Sequence, residues 1–243
     1  MSFISKSKTS TRRGFLIATG VIAGSFLLTS CMDDVQAPEP QPVAYVSIFQ
    51  GATDAPAMDI FASQNRVNKE GPVQYTQILP YGPYNPGTRD FRFSAFNSAT
   101  SLLEKDLVLK ADSVYSIFVA AEAEGIDAVL VKDVWEMPTA EKAQLRFVHL
   151  SPDADNVYLE VSGTTNPLVT GSTFKSVSDF EELNTGNFTL KVKSSETDET
   201  LIQSGTLELR GNRVYTLVLR GLASQTTGDK KLDIQLITNF VNY

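Results

Sequence analysis

Ala52-Thr53-Asp54-Ala55-Pro56-Ala57-Met58-Asp59-Ile60 has a counterpart ninety-nine residues on, Ser151-Pro152-Asp153-Ala154-Asp155-Asn156-Val157-Tyr158-Leu159. In both, an Asp-Ala turn leads into an apolar-rich segment. The same offset lays Asn85-Pro86-Gly87 on Asn184-Thr185-Gly186, Phe91-Arg92-Phe93 on Leu190-Lys191-Val192, and Leu102-Leu103 on Leu201-Ile202. One inserted residue later, Leu109 and Tyr115 match Leu209 and Tyr215. A single shift that keeps turn residues, alternation and a tyrosine predicts two copies of one folding unit. Their expected bounds are 43–136 and 143–243, joined by Trp135 to Lys142 around Pro138.

Each copy reads as β-structure. Phe91-Arg92-Phe93, Val157-Tyr158-Leu159-Glu160-Val161, Phe188 to Lys193 and Leu232-Asp233-Ile234-Gln235-Leu236 alternate apolar with polar residues. That period of two marks strands with one face in a core and one in water. Ala121-Glu122-Ala123-Glu124 is the one good local helix former, and it is too short to matter. Short segments punctuated by Gly, Pro, Asn and Asp predict an all-β fold of two tandem β-sandwiches. The spacing Leu109-x₅-Tyr115, echoed by Leu209-x₅-Tyr215, resembles the tyrosine corner of immunoglobulin-like and fibronectin-like sandwiches. It predicts that both tyrosine hydroxyls bond to backbone a few residues upstream.

Ahead of the repeats stands a different kind of sequence. Lys6, Lys8, Arg12 and Arg13 form a basic start, and Gly14 to Ser30 runs without a charge into Leu27-Leu28-Thr29-Ser30-Cys31. A basic start followed by a short apolar run diluted with glycine reads as a secretory signal over 1–30, not a spanning helix. Its ending resembles the lipobox of bacterial lipoproteins. The resemblance implies cleavage before Cys31, diacylglyceryl attachment to its thiol and acylation, palmitate among the acyl chains, of the new amino group. Cys31 is the chain's single cysteine, which fits that use. At ~0.8 kcal/mol per buried CH₂, three acyl chains hold a protein on a membrane. Thr11 to Leu16 resembles the twin-arginine pattern, with Ile17 where a lysine is common, so twin-arginine and general secretory export both stay open. Met32-Asp33-Asp34 resembles the surface-export signal of Bacteroidota-type lipoproteins, with a periplasmic face as the alternative. Within 31–42, prolines 38, 40 and 42 favour an extended tether of about 25 Å at ~3.1 Å per residue.

The charge balance narrows the function classes. All four basic leader residues leave with the signal, so the mature part carries 17 basic against 28 acidic side chains, a net charge of about −11. Such a surface repels phosphate backbones and disfavours nucleic acid. One histidine and one cysteine exclude Cys/His zinc clusters. Calcium wants six to eight oxygens, and the loops around Asp54 and Asp153 offer two or three. His149, Ser151 and Asp153 suggest a nucleophile and its base, yet no G-x-S-x-G elbow is present and Ser151 precedes Pro152, which suits an extended turn entry. The first copy has Gln50, Ala52 and Asp54 there, which suits a structural use. The expectation is that His149 caps or packs a strand edge and that Asp153 closes an Asx-turn.

Leu145 to Ala154, and more weakly Tyr45 to Ala57, resemble the opening of the bacterial domain of unknown function 4397 family, a strand followed by H-x-S-P-D-A-P and a second strand. The first copy lacks His, Ser and Pro before Asp54, and the second has Asp155 where the last proline is expected. The resemblance spans nearly all of 43–243, supports the repeated fold and brings no established activity.

Function is then expected from address and architecture: a non-enzymatic envelope lipoprotein, on the outer membrane and surface-exposed, binding a glycan or protein. Its binding loop is expected at Tyr75, Tyr81 and Tyr84, in the Pro/Gly/Tyr-rich run Leu79 to Gly87, because tyrosines give contact area at little entropy cost. No cofactor or metal is expected. The alternatives are a carboxylate-dependent hydrolase acting on carbohydrate, or a structural subunit of an envelope assembly.

Overall fold

The computed structural model describes residues 41–122 and 124–242. The signal sequence expected over 1–30, Cys31 and all but the last two residues of the expected tether lie outside the described residues. The rest is built from β-strands.

In the first half, β1 (Ala44–Gln50), β4 (Ile78–Tyr84), β7 (Val114–Glu122) and β8 (Gly125–Asp133) form one sheet in the order β4-β1-β7-β8. Facing it, β2 (Met58–Ala62), β3 (Asn65–Arg66), β5 (Gly87–Ala95) and β6 (Ser101–Leu109) form the order β3-β2-β5-β6. The second half repeats the plan. β9 (Lys142–His149), β12 (Glu181–Asn184), β17 (Arg213–Arg220) and β18 (Asp233–Val241) lie in the order β12-β9-β17-β18. Against them, β10 (Val157–Val161), β11 (Val169–Ser172), β14 (Leu190–Ser194) and β15 (Thr200–Gln203) lie in the order β11-β10-β14-β15, and β13 (Gly186–Phe188) pairs with β16 (Leu207–Leu209). In each half the first strand runs parallel to the penultimate one, β1 with β7 and β9 with β17. Consecutive strands β1 and β2 therefore sit in opposite sheets, where an immunoglobulin constant domain keeps its first two together. The architecture is a β-sandwich in both halves.

Each sandwich closes on its own core. Val46, Ile48, Ile117 and Val119 meet Ile60, Phe91 and Phe93 in the first. Leu145, Phe147, Leu217 and Leu219 meet Leu159, Leu190 and Val192 in the second. The outer-sheet strands keep the alternation of the sequence: β10 and β14 both bury every second residue. The inner strands do not. Along β9, Ala143 to His149 are all buried, because its second face packs against the other sandwich. Phe49, Phe118 and Ala120 from one half join Val148, Leu150, Val218 and Ile237 from the other in a third cluster. The molecule is thus four sheets deep, two sandwiches back to back. Leu150 lies over Gly51, its counterpart in the first copy, where a Cβ would meet the leucine Cδ1 at 2.5 Å. A knob in one repeat fills the hole left at the same position of the other.

Both tyrosine corners are present. The Lys110 N–H donates to the Tyr115 hydroxyl and the Arg210 N–H to the Tyr215 hydroxyl, each at 3.1 Å. The segment Trp135 to Glu141 is pinned by rings of both halves, with Trp135 at 5.8 Å from Phe180 and from Phe240 and 6.5 Å from Tyr81.

Candidate functional site

A cleft of about 420 Å³ opens on the first sandwich, between the β2–β3 hairpin and the β4–β5 hairpin. Buried Asn68 shapes one wall. Its amide donates to the Gly71 carbonyl at 2.7 Å and to Asp59 at 3.0 Å, and its oxygen accepts the Ile60 N–H at 2.7 Å. That staples the chain after β3 onto β2 and brings Arg66 and Lys69 to the same opening. Gly87, at φ 105°, makes the tight return from β4 to β5 that a Cβ would strain. Across that hairpin Arg89 donates to the Asn85 carbonyl at 2.8 Å and the Pro86 carbonyl at 2.7 Å, which holds its guanidinium at the rim. The lining includes Arg66, Lys69, Arg89, Asn65, Asn85 and Tyr84, and no carboxylate. Asp59, 5% exposed, touches Arg66 at 3.4 Å from below. The Tyr84 ring packs on Phe91 at 5.7 Å, and burial pushes its hydroxyl pKa up to about 12, so it works as a neutral donor.

The three tyrosines expected to share a loop do not. The Leu79–Gly87 run is mostly strand: residues 78–84 are β4, an edge strand, where Pro80 and Pro83 are tolerated because one side of the ladder is open. Its register against β1 shifts between Val46 and Ile48, a bulge that turns Tyr81 away from Leu79 and Tyr84, which pack on the core. Tyr81 faces the second sandwich, and only Tyr84 reaches the cleft. Tyr75 lies under Arg220, 5.6 Å from ring to guanidinium, with its hydroxyl buried.

The motif residues act on backbone. His149 is fully buried and not at an edge: its backbone pairs with β17 on one side and with Lys175 and Ser176 on the other, and strand alternation sets its side chain on the face of Leu145 and Phe147. One ring nitrogen accepts the Ser151 N–H at 3.3 Å and the other faces the Asp155 carbonyl at 3.2 Å. This assigns the proton to Nε2. Burial lowers its pKa, more than contact with backbone oxygens raises it. Asp153 closes no turn of its own. Its carboxylate accepts the N–H groups of Ala223 and Ser224 at 2.7 and 2.9 Å, fixing the loop after β17. Burial acts to raise its pKa, but the bonds from Ser224, Ala223 and Ser151 outweigh it and the net shift is down. Asp54 reaches the same loop through Lys230 at 2.7 Å. Among the described residues no group of three or more His, Cys, Asp and Glu could hold a metal ion.

A buried polar joint links the halves. Arg146, 1% exposed, meets Asp133 at 2.5 Å, Ser116 at 2.8 Å and Thr216 at 2.8 Å, and stacks 4.5 Å over the Phe180 ring. Asp133 also accepts from Ser116 at 2.7 Å and from the Tyr81 hydroxyl at 2.6 Å. Asn239 donates to that hydroxyl at 2.9 Å and accepts from Thr216 at 2.6 Å. Burial, and then the Asp133 charge, pushes the Tyr81 pKa up to about 12. Six side chains, three from each half, satisfy one another. A charge within the apolar run 145–150 is the one sequence signal of this joint. The alternation rule alone places Arg146 in solvent.

Fold and joint define a class: an all-β protein of two β-sandwiches fused back to back. Residues 44–160, the first sandwich together with β9 and most of β10, match the family described as Domain of unknown function (DUF4397). A crystal structure of a DUF3823 family protein from Bacteroides ovatus is similar at 10% identity, covering 70% of this chain and 99% of that one, with a TM-score of 0.19. No curated protein matches.

Proposed function

We propose that this chain is a non-enzymatic envelope lipoprotein, anchored in a membrane through Cys31, that serves as a surface binding module for a glycan or a protein. The observation that carries it is the cleft between the β2–β3 and β4–β5 hairpins. It is of small-ligand size, with convergent polar groups on rigid hairpins. The leader, Cys31 and the proline tether support the address. The bonds of His149, Ser151 and Asp153 to backbone and to each other support a structural use of those residues.

A glycan array run beside a hydrolysis screen on the purified protein tests this reading. Retention of a glycan or protein without turnover is the expected result. Turnover lost on Asp153→Asn would instead establish the carboxylate-dependent hydrolase.

A further inference from the structure

We propose that the cleft on the first sandwich takes an acidic saccharide, a sugar chain whose carboxylate groups meet Arg66, Lys69 and Arg89. This rests on the binding-module reading and names its ligand class. The mature chain carries about −11 net charge, yet three cations and no carboxylate line this opening. Asp59 lies buried beneath Arg66, and Glu70 and Asp90 neighbour Lys69 and Arg89 in the chain, but none of the three lines the opening, and acids farther than the ~8 Å screening length of physiological salt are felt weakly there. Their charges are available. Lys69 is exposed, and its ammonium makes no ion pair or hydrogen bond among the described residues. Arg66 has one partner, Asp59, at a long 3.4 Å. Arg89 spends donors on two carbonyls and keeps the others, so its planar fork is oriented before a ligand arrives.

A saccharide fits better than an acidic peptide. Asn65, Asn85 and the Tyr84 hydroxyl supply donors and acceptors of the kind sugar hydroxyls need. Peptides commonly add as a strand to an open sheet edge. Here the neighbouring edge, β4, carries Pro80 and Pro83, and the other, β3, is two residues long. Neither offers a ladder. The second sandwich has lost the charge: at the offset of ninety-nine, Arg66, Lys69 and Arg89 correspond to Thr165, Leu168 and Phe188. One such site among the described residues follows.

Isothermal titration of the full-length protein in detergent micelles, with trigalacturonate, neutral galactotriose and a glutamate hexapeptide as probes, tests the assignment. Trigalacturonate should bind, with each of the other two at least about tenfold weaker, as expected for one lost charged hydrogen bond. Lys69→Glu should weaken trigalacturonate by about tenfold or more at an unchanged melting temperature, and Lys69→Gln by less. No binding of trigalacturonate, equal binding of the neutral sugar or the peptide, or indifference to Lys69→Glu overturns the proposal. A neutral glycan or a protein retained by the same sample sinks the acidic class and leaves the binding-module reading standing. Turnover of a probe sinks both.

Discussion

The first sandwich carries the cationic cleft and the second carries the arginine of the joint, although both halves share strand order, core positions and a tyrosine corner. Where the second half has Arg146, the first has Ser47; where it has Leu150, the first has Gly51. The two faces that meet are therefore complementary rather than alike. A repeat whose faces stayed identical would set arginine near arginine and leucine against leucine. These changes of chemical character fall on surfaces that touch something, the joint in one place and the open cleft in the other. The inward faces, which touch only their own sandwich, have kept the pattern.

Breaking the joint is the harshest test of that contrast. Arg146→Ala leaves Asp133, 6% exposed, without its cation and strips partners from Ser116 and Thr216. Removing one member of a buried pair costs about 3–5 kcal/mol. Urea unfolding of the variant should show a loss of that size. A loss under about 1 kcal/mol, the range of a solvent-exposed pair, would mean that the joint is wet in solution and that the halves are tied by the apolar cluster alone.

The corners offer a milder comparison, because here the halves are the same. Tyr115→Phe and Tyr215→Phe each remove an acceptor for a backbone N–H five residues upstream, at equal distance. Each should cost about 1 kcal/mol, the net value of a hydrogen bond, and the two urea-derived losses should agree within error. If one variant is silent, the shared geometry is not shared energy.

Much of this architecture is legible in the sequence, and the exceptions have one cause. The offset between Asp54 and Asp153 marks the repeat, and the tyrosine spacing marks the corners, because turn chemistry and strand alternation are local. Arg146 and Tyr81 are different. Their roles come from a face buried by another sandwich, and alternation reports only that a strand has two faces, not what covers the second. The tyrosine expectation at 75, 81 and 84 misses for a related reason: Pro and Gly in Leu79 to Gly87 read as loop, yet an open sheet edge accommodates them. The cleft has no contiguous motif. Arg66 and Lys69 reach Arg89 only because Asn68 and Gly87 fold two hairpins to one opening.

The smallest effect concerns His149, whose counterpart in the first copy is Gln50. The two side chains make equivalent bonds. The Gln50 side-chain oxygen accepts the Ala52 N–H at 2.8 Å, as a His149 ring nitrogen accepts that of Ser151. The difference is that histidine titrates. Its ordinary pKa is 6.5 and burial lowers it in the folded chain. Above pH 6.5 both folded and unfolded chains hold it neutral, and it adds no pH dependence. As pH falls below 6.5 the unfolded chain takes up a proton that the folded chain refuses, so stability drops, by at most about 1.4 kcal/mol per pH unit. Asp153 and Asp127, with lowered pKa values, lose their contribution only as pH falls through and below the ordinary 3.8, outside this window. His149→Gln should therefore change the urea midpoint little at about pH 7.5 and flatten the decline of the parent protein between about pH 6.5 and 5. An equal decline in both proteins would show that the repeats differ at this position in name only, and that another group sets the acid limit of the fold.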